Sequence, residues 1–447
     1  MNEELLKKAG IIALEAGIRR GVHTEVYLQA SRQLSIEVAD SVVETLKEAE
    51  ETGLGIRLIN EGKLGFAYTS DLSAEAILEA VNDAYNITDF TSTDKYNQIP
   101  VGPYEYQPME LYDEQIKKAS VEAKIELARQ VEKAAREADS RISIIETAGY
   151  EDTEYISLIM NTNGLYASGQ GNFSGMYISL VAEEKGDAQN GFAMRLQKWF
   201  KDLEPQEVGR EAALKAVRSL NARTIKSAHL PCIMEPYVVT QFLGILAQMV
   251  DAETVQKGKS LFAGKIGQKI ASPLFTLVDD STWLDGVGSF PFDGEGVPAQ
   301  RNLVVKEGIL QTYLYDTYTA AKDGVSSTGN AQRGSFRSLP TVGTSNFMIS
   351  AGDNSLESLV AEIDKGFYIT DVMGMHTANP ISGDFSVGAA GIMIENGYLT
   401  YAVRGVTIAG NIIDFLQDID AVGNDLRFYG SKAAPTIRLK SLSIAGK

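Results

Sequence analysis

The 447-residue chain has few of the side chains that bind transition metals. It contains one cysteine, Cys232, and three histidines, His23, His229 and His376. A single cysteine cannot form an intrachain disulfide or a multi-thiolate metal site. A zincin motif needs two histidines one helical turn apart with a glutamate between them, and no pair here has that spacing. The sequence is therefore compatible with a reducing compartment and contains no recognisable metal motif.

Basic residues and long apolar runs are also scarce. Lys and Arg number 41 against 59 Asp and Glu, a net charge of −18, whereas nucleic-acid-binding modules carry basic patches. The most apolar run, Val238–Val250, is interrupted by two glutamines and is shorter than the ~20 residues that cross a bilayer. The start of the chain has no apolar core of a signal peptide. We therefore predict a cytoplasmic protein with no membrane segment and no direct nucleic-acid partner, and a buried helix at Val238–Val250.

The pattern of apolar residues predicts an α+β protein. Three- and four-residue apolar spacing predicts four helices in the first half, at Asn2–Arg20, Ala74–Tyr85, Asp113–Ala138 and Pro205–Ala222. β-rich runs lie between them, at Glu25–Gln29, Leu34–Val38, Gly55–Ile59, Leu64–Tyr68, Ile142–Tyr150, Glu154–Asn161, Phe173–Ala182 and Gly191–Trp199. The second half has short helices and many Gly-containing turns. We predict two mixed α/β domains: residues 1–225, a helix-flanked, largely antiparallel sheet, and residues 226–447, a β-rich domain.

A short pattern containing glycine occurs three times between alternating apolar runs. It spans Asn60–Leu64, Lys306–Leu310 and Glu395–Leu399. Because glycine adopts the positive φ that tight hairpins require, the pattern predicts three hairpin turns.

Common catalytic and phosphate-binding motifs are absent. Gly258-Lys259-Ser260 lacks the first glycine of a P-loop, and Gly169–Ser174 lacks the last glycine of a dinucleotide-binding loop. Both are interpreted as turns. Cys232 lies three residues after His229 in a predicted strand, which places the two side chains on opposite faces and favours a buried, inert cysteine. The acidic passage Asp279–Glu295 does not fit a calcium loop and is interpreted as solvated.

Several strings in the second half, taken in order, resemble the TldD/PmbA family. They are Val278–Asp280, Gly288–Pro298, Lys306–Leu314, Ser327–Ala331, Thr370–Gly374, Ser382–Gly391, Ile394–Gly397, Val406–Asn411 and Val422–Asp425. The first half is similar to the family in its order of elements, so the resemblance covers nearly the whole chain. It implies a cytosolic metalloprotease in which a TldD-type subunit with an H-E-x-x-x-H motif pairs with a PmbA-type subunit, also called TldE. The family is also named for modulation of DNA gyrase.

This chain resembles the PmbA-type subunit because it departs from the zinc motif. If Glu235 corresponds to the motif's glutamate, Met234 and Val239 occupy the histidine positions, and the later thiolate position falls near Met373. Thioether and alkyl groups do not replace imidazole and thiolate around zinc. The resemblance therefore implies that this chain has no cofactor of its own, that zinc is held by a TldD-type partner, and that Glu235 is only a weak catalytic candidate.

The glycine-rich family strings suggest how a peptide would be held. Unfolded peptides are commonly bound as an added strand, and glycines allow close approach of a second backbone. We predict that Thr328, Gly329, Asn330 and Ala331, together with Gly383, Asp384 and Phe385, line such a channel. Tight turns that only hold the domain together are an equal alternative.

Two other functions stay open. A homodimer could hydrolyse peptides by itself using Glu235, Asp384 or His376, or the chain could bind gyrase or another regulator without catalysis. The acidic charge favours contact with protein over contact with DNA. A homodimer is the default for the isolated chain because symmetric pairing is the commonest assembly.

Overall fold

In a computed structural model, described here for residues 3–447, the chain forms ten α-helices and twenty strands. The helices are α1 Glu3–Arg20, α2 Ala74–Ile87, α3 Glu114–Lys118, α4 Val121–Ala138, α5 Pro205–Arg218, α6 Pro236–Val250, α7 Ala252–Gln256, α8 Thr317–Asp323, α9 Leu356–Ala361 and α10 Ile412–Gln417. The predicted start of the first helix, Asn2, lies outside the described residues.

Six long antiparallel strands form the first sheet, in the order β3-β2-β1-β4-β5-β6. They are β1 His23–Ala39, β2 Val42–Asn60, β3 Lys63–Thr69, β4 Ile142–Asn161, β5 Tyr166–Glu184 and β6 Asp187–Gln197. Even-numbered apolar residues of β1, from Val26 to Val38, pack against helices: α1 and α2 cover one end, and α4 and α5 cover the other. Residues of opposite parity, such as Tyr27, face the second half of the chain.

Two further six-stranded sheets and a two-stranded sheet come from residues 228–445. Their strands are β7 Ala228–Met234, β8 Leu277–Asp280, β9 Arg301–Lys306, β10 Ile309–Leu310, β11 Ala331–Gln332, β12 Thr341–Val342, β13 Phe347–Ile349, β14 Lys365–Met373, β15 Asp384–Glu395, β16 Tyr398–Asn411, β17 Ile419–Val422, β18 Arg427–Tyr429, β19 Lys432–Ala434 and β20 Ile437–Ala445. The sheet orders are β10-β9-β8-β13-β19-β18 and β16-β15-β14-β7-β20-β17, with β11-β12 as the small pair. The α+β class is confirmed, while the division at residue 225 stays a prediction.

Local signals in the sequence account for several elements. All three predicted hairpin turns are confirmed: each has two consecutive positive-φ residues, at Glu61-Gly62, Glu307-Gly308 and Asn396-Gly397. The apolar helix is confirmed as α6, and Cys232 is fully buried.

Two predictions were wrong in detail. The predicted helix Asp113–Ala138 is two helices, because Ala119 is extended and the Ser120 side chain caps a new helix by accepting from the Ala123 amide. The predicted turn Gly169–Ser174 lies within β5, where its glycines are strand residues that leave room for rings from neighbouring elements, such as Phe290 beside Gly169.

Candidate functional site

Glu235, the residue that the resemblance places at the glutamate of the zinc motif, lies immediately before α6. It is the N-cap residue of α6, but its carboxylate does not cap the helix. Instead Arg218 of α5 donates two hydrogen bonds to its two oxygens, at 2.7 and 2.8 Å, and the Tyr368 hydroxyl donates a third at 3.1 Å. A bidentate guanidinium pair fixes a carboxylate in orientation and occupies its lone pairs.

The other positions of the zinc motif do not offer suitable ligands. Met234 and Val239 are 0% and 1% exposed and belong to the main apolar core of the second half. Met373 is exposed at the end of β14. Across residues 3–447, no group of three or more His, Cys, Asp and Glu side chains is arranged to hold a metal ion. Zinc therefore does not fit this donor set, since the motif positions supply a thioether, an alkyl group and a carboxylate already paired with arginine.

A large open cleft of about 750 Å³ adjoins this region. We call it the α6 cleft. Its walls come from β5, β6, α5, α6, β14 and the turn between β18 and β19. The lining residues are Ser179, Asn190, Gly191, Phe192, Ala193, Met194, Lys215, Arg218, Ser219, Tyr237, Thr240, Gln241, Thr370, Asp371, Tyr429, Gly430, Ser431 and Lys432.

Cations outnumber anions among the charged side chains that line the α6 cleft. Lys215, Arg218 and Lys432 face a single lining carboxylate, that of Asp371. Arg218 is paired with Glu235, and Lys215 is 2.7 Å from Glu211. Lys432 has no ion pair among residues 3–447, and burial lowers the pKa of its amine. The cleft is thus locally basic within a chain of net charge −18.

A second cavity, of about 240 Å³, lies between the first sheet and the second half of the chain. We call it the seam cavity. It is lined by Tyr27, Gln29, Tyr155, Ser157, Ser281, Val287, Gly288, Ser289, Phe290, Phe292, Asp293, Gly294, Gly329, Asn330, Ala331, Gln332, Arg333 and Ser345. Three of the four residues predicted in the Thr328–Ala331 string border it.

Hydrogen bonds fix this string in place. The Thr328 hydroxyl accepts from the Tyr315 amide at 2.7 Å and donates to Asn330 Oδ1 at 2.7 Å. Asn330 Nδ2 donates to Asp279 Oδ2 at 2.6 Å. Gly329 has a φ of +69°, and a Cβ there would lie 2.8 Å from the Pro298 carbonyl oxygen. The string is therefore both a tightly bonded turn and part of a cavity wall.

The structure places the other predicted string elsewhere. Gly383, at φ +79°, leads into β15, and the exposed Asp384 carboxylate accepts from Asn411 Nδ2 at 2.8 Å. Phe385 is 3% exposed and packs edge-on against Phe242 of α6. None of the three borders the seam cavity or the α6 cleft, and their role in a channel stays a prediction.

A buried ion cluster beside the seam cavity was missed by sequence reasoning. Arg57 of β2 lies 2.7 Å from Glu25 and 2.8 Å from Glu295, and Arg333 also pairs with Glu25. All four side chains are at most 7% exposed. The expectation that Asp279–Glu295 is a solvated loop was therefore wrong at both ends: Asp279, Asp280 and Glu295 are buried, while Asp285 is exposed. The signal was the run of carboxylates inside the family string Gly288–Pro298, but partners so distant in sequence could not be inferred.

Asp293 adjoins this cluster. Its carboxylate accepts from the amides of Glu295, Val297 and Ala331 at 2.9, 3.0 and 3.0 Å. Burial, followed by the charge of Glu295, raises the pKa of Asp293 well above the ordinary carboxyl range. Asp279 is shifted in the same direction, since burial raises its pKa to about 6.

Comparison with known proteins identifies the family. The chain matches the PmbA/TldA metallopeptidase domain 1 over residues 24–88, the central domain over 114–220 and the C-terminal domain over 227–446. The chain therefore belongs to the PmbA/TldD family.

Individual relatives agree with this assignment. Metalloprotease PmbA of Escherichia coli O157:H7 is 28% identical over 99% of this chain and 97% of its own. A proposed modulator of DNA gyrase from Thermotoga maritima superimposes with a TM-score of 0.91 at 30% identity, over 98% of this chain and all of its own. TldE from Thermococcus kodakarensis gives 0.89 at 26% identity, covering 97% and 100%. None of the helices in residues 3–447 has the length and apolarity that a membrane span requires.

Proposed function

We propose that this chain is a PmbA-type, non-catalytic subunit of a two-subunit cytoplasmic metallopeptidase, and that it shapes the site in which unfolded peptide is held. The observation that carries the proposal is the state of Glu235. A general base must reach a metal-bound water, whereas this carboxylate is held by Arg218 and Tyr368. The neighbouring Met234 and Val239 cannot ligate zinc. The metal and the base would then come from a TldD-type partner.

The peptide-holding role is supported by the two cavities. Gly329, Asn330 and Ala331 border the seam cavity, and the α6 cleft is large enough to hold several residues of an extended chain. For Gly383, Asp384 and Phe385 neither cavity adds support.

The test combines elemental analysis of the purified chain with cleavage of an unstructured peptide, with and without a TldD-type partner. We expect no stoichiometric zinc, no cleavage by the chain alone, and cleavage when the partner is added. Stoichiometric zinc with partner-independent cleavage would contradict the proposal and favour the stand-alone homodimeric peptidase. Light scattering of the isolated chain tests the proposed homodimer in the same preparation.

A non-enzymatic role on DNA gyrase is a second candidate, favoured by the name of the Thermotoga maritima relative. Addition of the purified chain to a supercoiling assay, without any partner, tests it. An unchanged supercoiling rate would argue against direct action on gyrase.

A further inference from the structure

The α6 cleft is bordered by the edge strands of two sheets, β6 and β18, which also contact each other. β6 ends the first sheet and β18 ends the sheet that contains β19, so within residues 3–447 each has a strand partner on one side only. Residues 190–194 of β6 and Tyr429 of β18 both line the cleft. Open strand edges present unpaired amides and carbonyls that bind an extended chain.

Successive side chains of β6 point to opposite faces of the sheet, and one of these faces is accessible. Gly191 and Ala193 face α5: a Cβ on Gly191 would lie 2.1 Å from the Ala212 carbonyl oxygen, and Ala193 is 1% exposed. Phe192 points the other way and is 46% exposed. Lys215 Nζ donates to the Phe192 carbonyl oxygen at 3.3 Å, so this one carbonyl already has a partner within the chain.

Lys432 provides the charge that selects the ligand. Its Nζ lies 3.3 Å from the point where a Cβ on Gly244 would be, in the middle of α6. Glycine within a helix is unfavourable relative to alanine, and here it leaves space for the lysine amine. Because Lys432 is the one lining cation without a carboxylate partner among the described residues, an incoming anion would find its charge uncompensated.

We propose that the α6 cleft binds an extended peptide along β6 and anchors a carboxylate of that peptide on Lys432. This deepens the proposed function, on which it rests, by assigning a peptide-carboxylate subsite to this chain itself. The carboxylate is either the peptide's C-terminus or an acidic side chain, and both present the same chemistry. A charge-assisted hydrogen bond from a partly desolvated amine favours either over a neutral amide.

The experiment measures binding, without cleavage, by fluorescence anisotropy of the full chain alone. Three labelled ten-residue unstructured peptides are compared: one with a free C-terminus, its C-terminal amide, and the amide carrying an internal glutamate. We expect the free acid or the glutamate peptide to bind about tenfold more tightly than the plain amide. The peptide that binds more tightly identifies the source of the carboxylate. Equal affinities for all three would overturn the proposal.

Lys432→Met removes the charge at similar length, and Lys117→Met is the matched control on an exposed helix position. We expect Lys432→Met to abolish the preference for the carboxylate and Lys117→Met to keep it. A preference that persists in a folded Lys432→Met variant contradicts the anchor. If Lys432→Met does not fold, the comparison of acid with amide on the unaltered chain still decides.

Inorganic phosphate serves as a small-anion probe. Its binding in place of all three peptides would overturn the peptide assignment. Because no partner is present, failure of this test leaves the partner-dependent cleavage result unaffected, and the two proposals fail separately.

Discussion

The two cavities of this protein use charge in opposite ways. At the seam cavity, two arginines and two glutamates from both halves of the chain are buried and mutually paired. In the α6 cleft, cations line an open volume about three times as large, and Lys432 has no partner among residues 3–447. Buried charges that satisfy one another hold surfaces together, whereas a partly buried charge left unpaired favours an incoming ligand.

Two sets of residues that connect this chain to its family have different roles in the structure. The family string Gly288–Pro298 supplies Glu295 to the buried cluster. Through Glu295, this string joins the first sheet to the second half of the chain. Glu235 is hydrogen-bonded to Arg218, which lines the α6 cleft, and the neighbouring Met234 and Val239 are not the histidines of the zinc motif. The family string at the seam therefore has a structural role, whereas the zinc-motif positions supply no histidine.

The largest expected effect comes from breaking the seam. Glu25→Gln removes the charge that Arg57 and Arg333 share, and loss of one member of a buried ion cluster costs about 3–5 kcal/mol. Urea unfolding should show this decrease in the free energy of unfolding. Glu48→Gln is the control, because Glu48 pairs with Arg32 while 46% exposed, and an exposed pair contributes about 1 kcal/mol or less. Equal effects of the two variants would show that the seam is not a stabilising contact.

A pH effect on stability is expected at the seam. The folded-state pKa of Asp293 is raised, so its stabilising contribution is complete below the ordinary carboxyl pKa of about 4 and is lost as the pH rises through the raised value. We expect the melting temperature to fall by several degrees from pH 5 to pH 8. Asp293→Asn should reduce this fall, and Asp353→Asn, at an exposed position, should not. A fall that is the same in all three proteins would contradict the assignment to Asp293.

A smaller effect distinguishes strain from close approach in the seam cavity wall. Gly329 and Gly324 have nearly equal φ values, +69° and +67°, but only at Gly329 would a Cβ meet another atom within 4 Å. Gly324→Ala should cost about 1–2 kcal/mol from the left-handed backbone alone. Gly329→Ala should cost more, because the Pro298 carbonyl must also move. Chemical denaturation of both variants measures the difference in the free energy of unfolding. Equal losses would mean that the Pro298 carbonyl moves aside at no cost.

Local sequence signals predicted the parts of the fold that depend on neighbouring residues. The three hairpins follow from paired positive-φ positions, and α6 follows from a predominantly apolar run. The break at Ser120 was missed because the apolar period continues across it, and only the capping hydrogen bond reveals the new start. The long strands were predicted as shorter runs because sections such as Ala30–Gln33 of β1 lack the apolar alternation, yet they are hydrogen-bonded to the neighbouring strands.

The candidate sites were less accessible from sequence. The resemblance located Glu235 and the Thr328–Ala331 string, but not their partners: Arg218 lies on a preceding helix, and Asp279 is 51 residues from Asn330. Arg57 and Glu295 are joined only by the folded arrangement of the two halves. Contacts of that kind have no periodicity or spacing by which a single sequence could reveal them.

The smallest expected effect is at Glu235, and it bears directly on how the two cavities differ. Glu235→Gln retains the shape of the side chain but weakens the pair with Arg218. The Glu235 and Arg218 side chains are 15% and 27% exposed. The free energy of unfolding should therefore fall by about 1 kcal/mol, between the values for surface and buried pairs. Partner-dependent peptide cleavage should stay within about twofold, because a carboxylate held by arginine does not act as the base. Removal of a true general base would instead lower the rate by about 10²–10⁴-fold. A loss of that size with unchanged stability would assign catalysis to this chain, and the α6 cleft would then be an active site of its own.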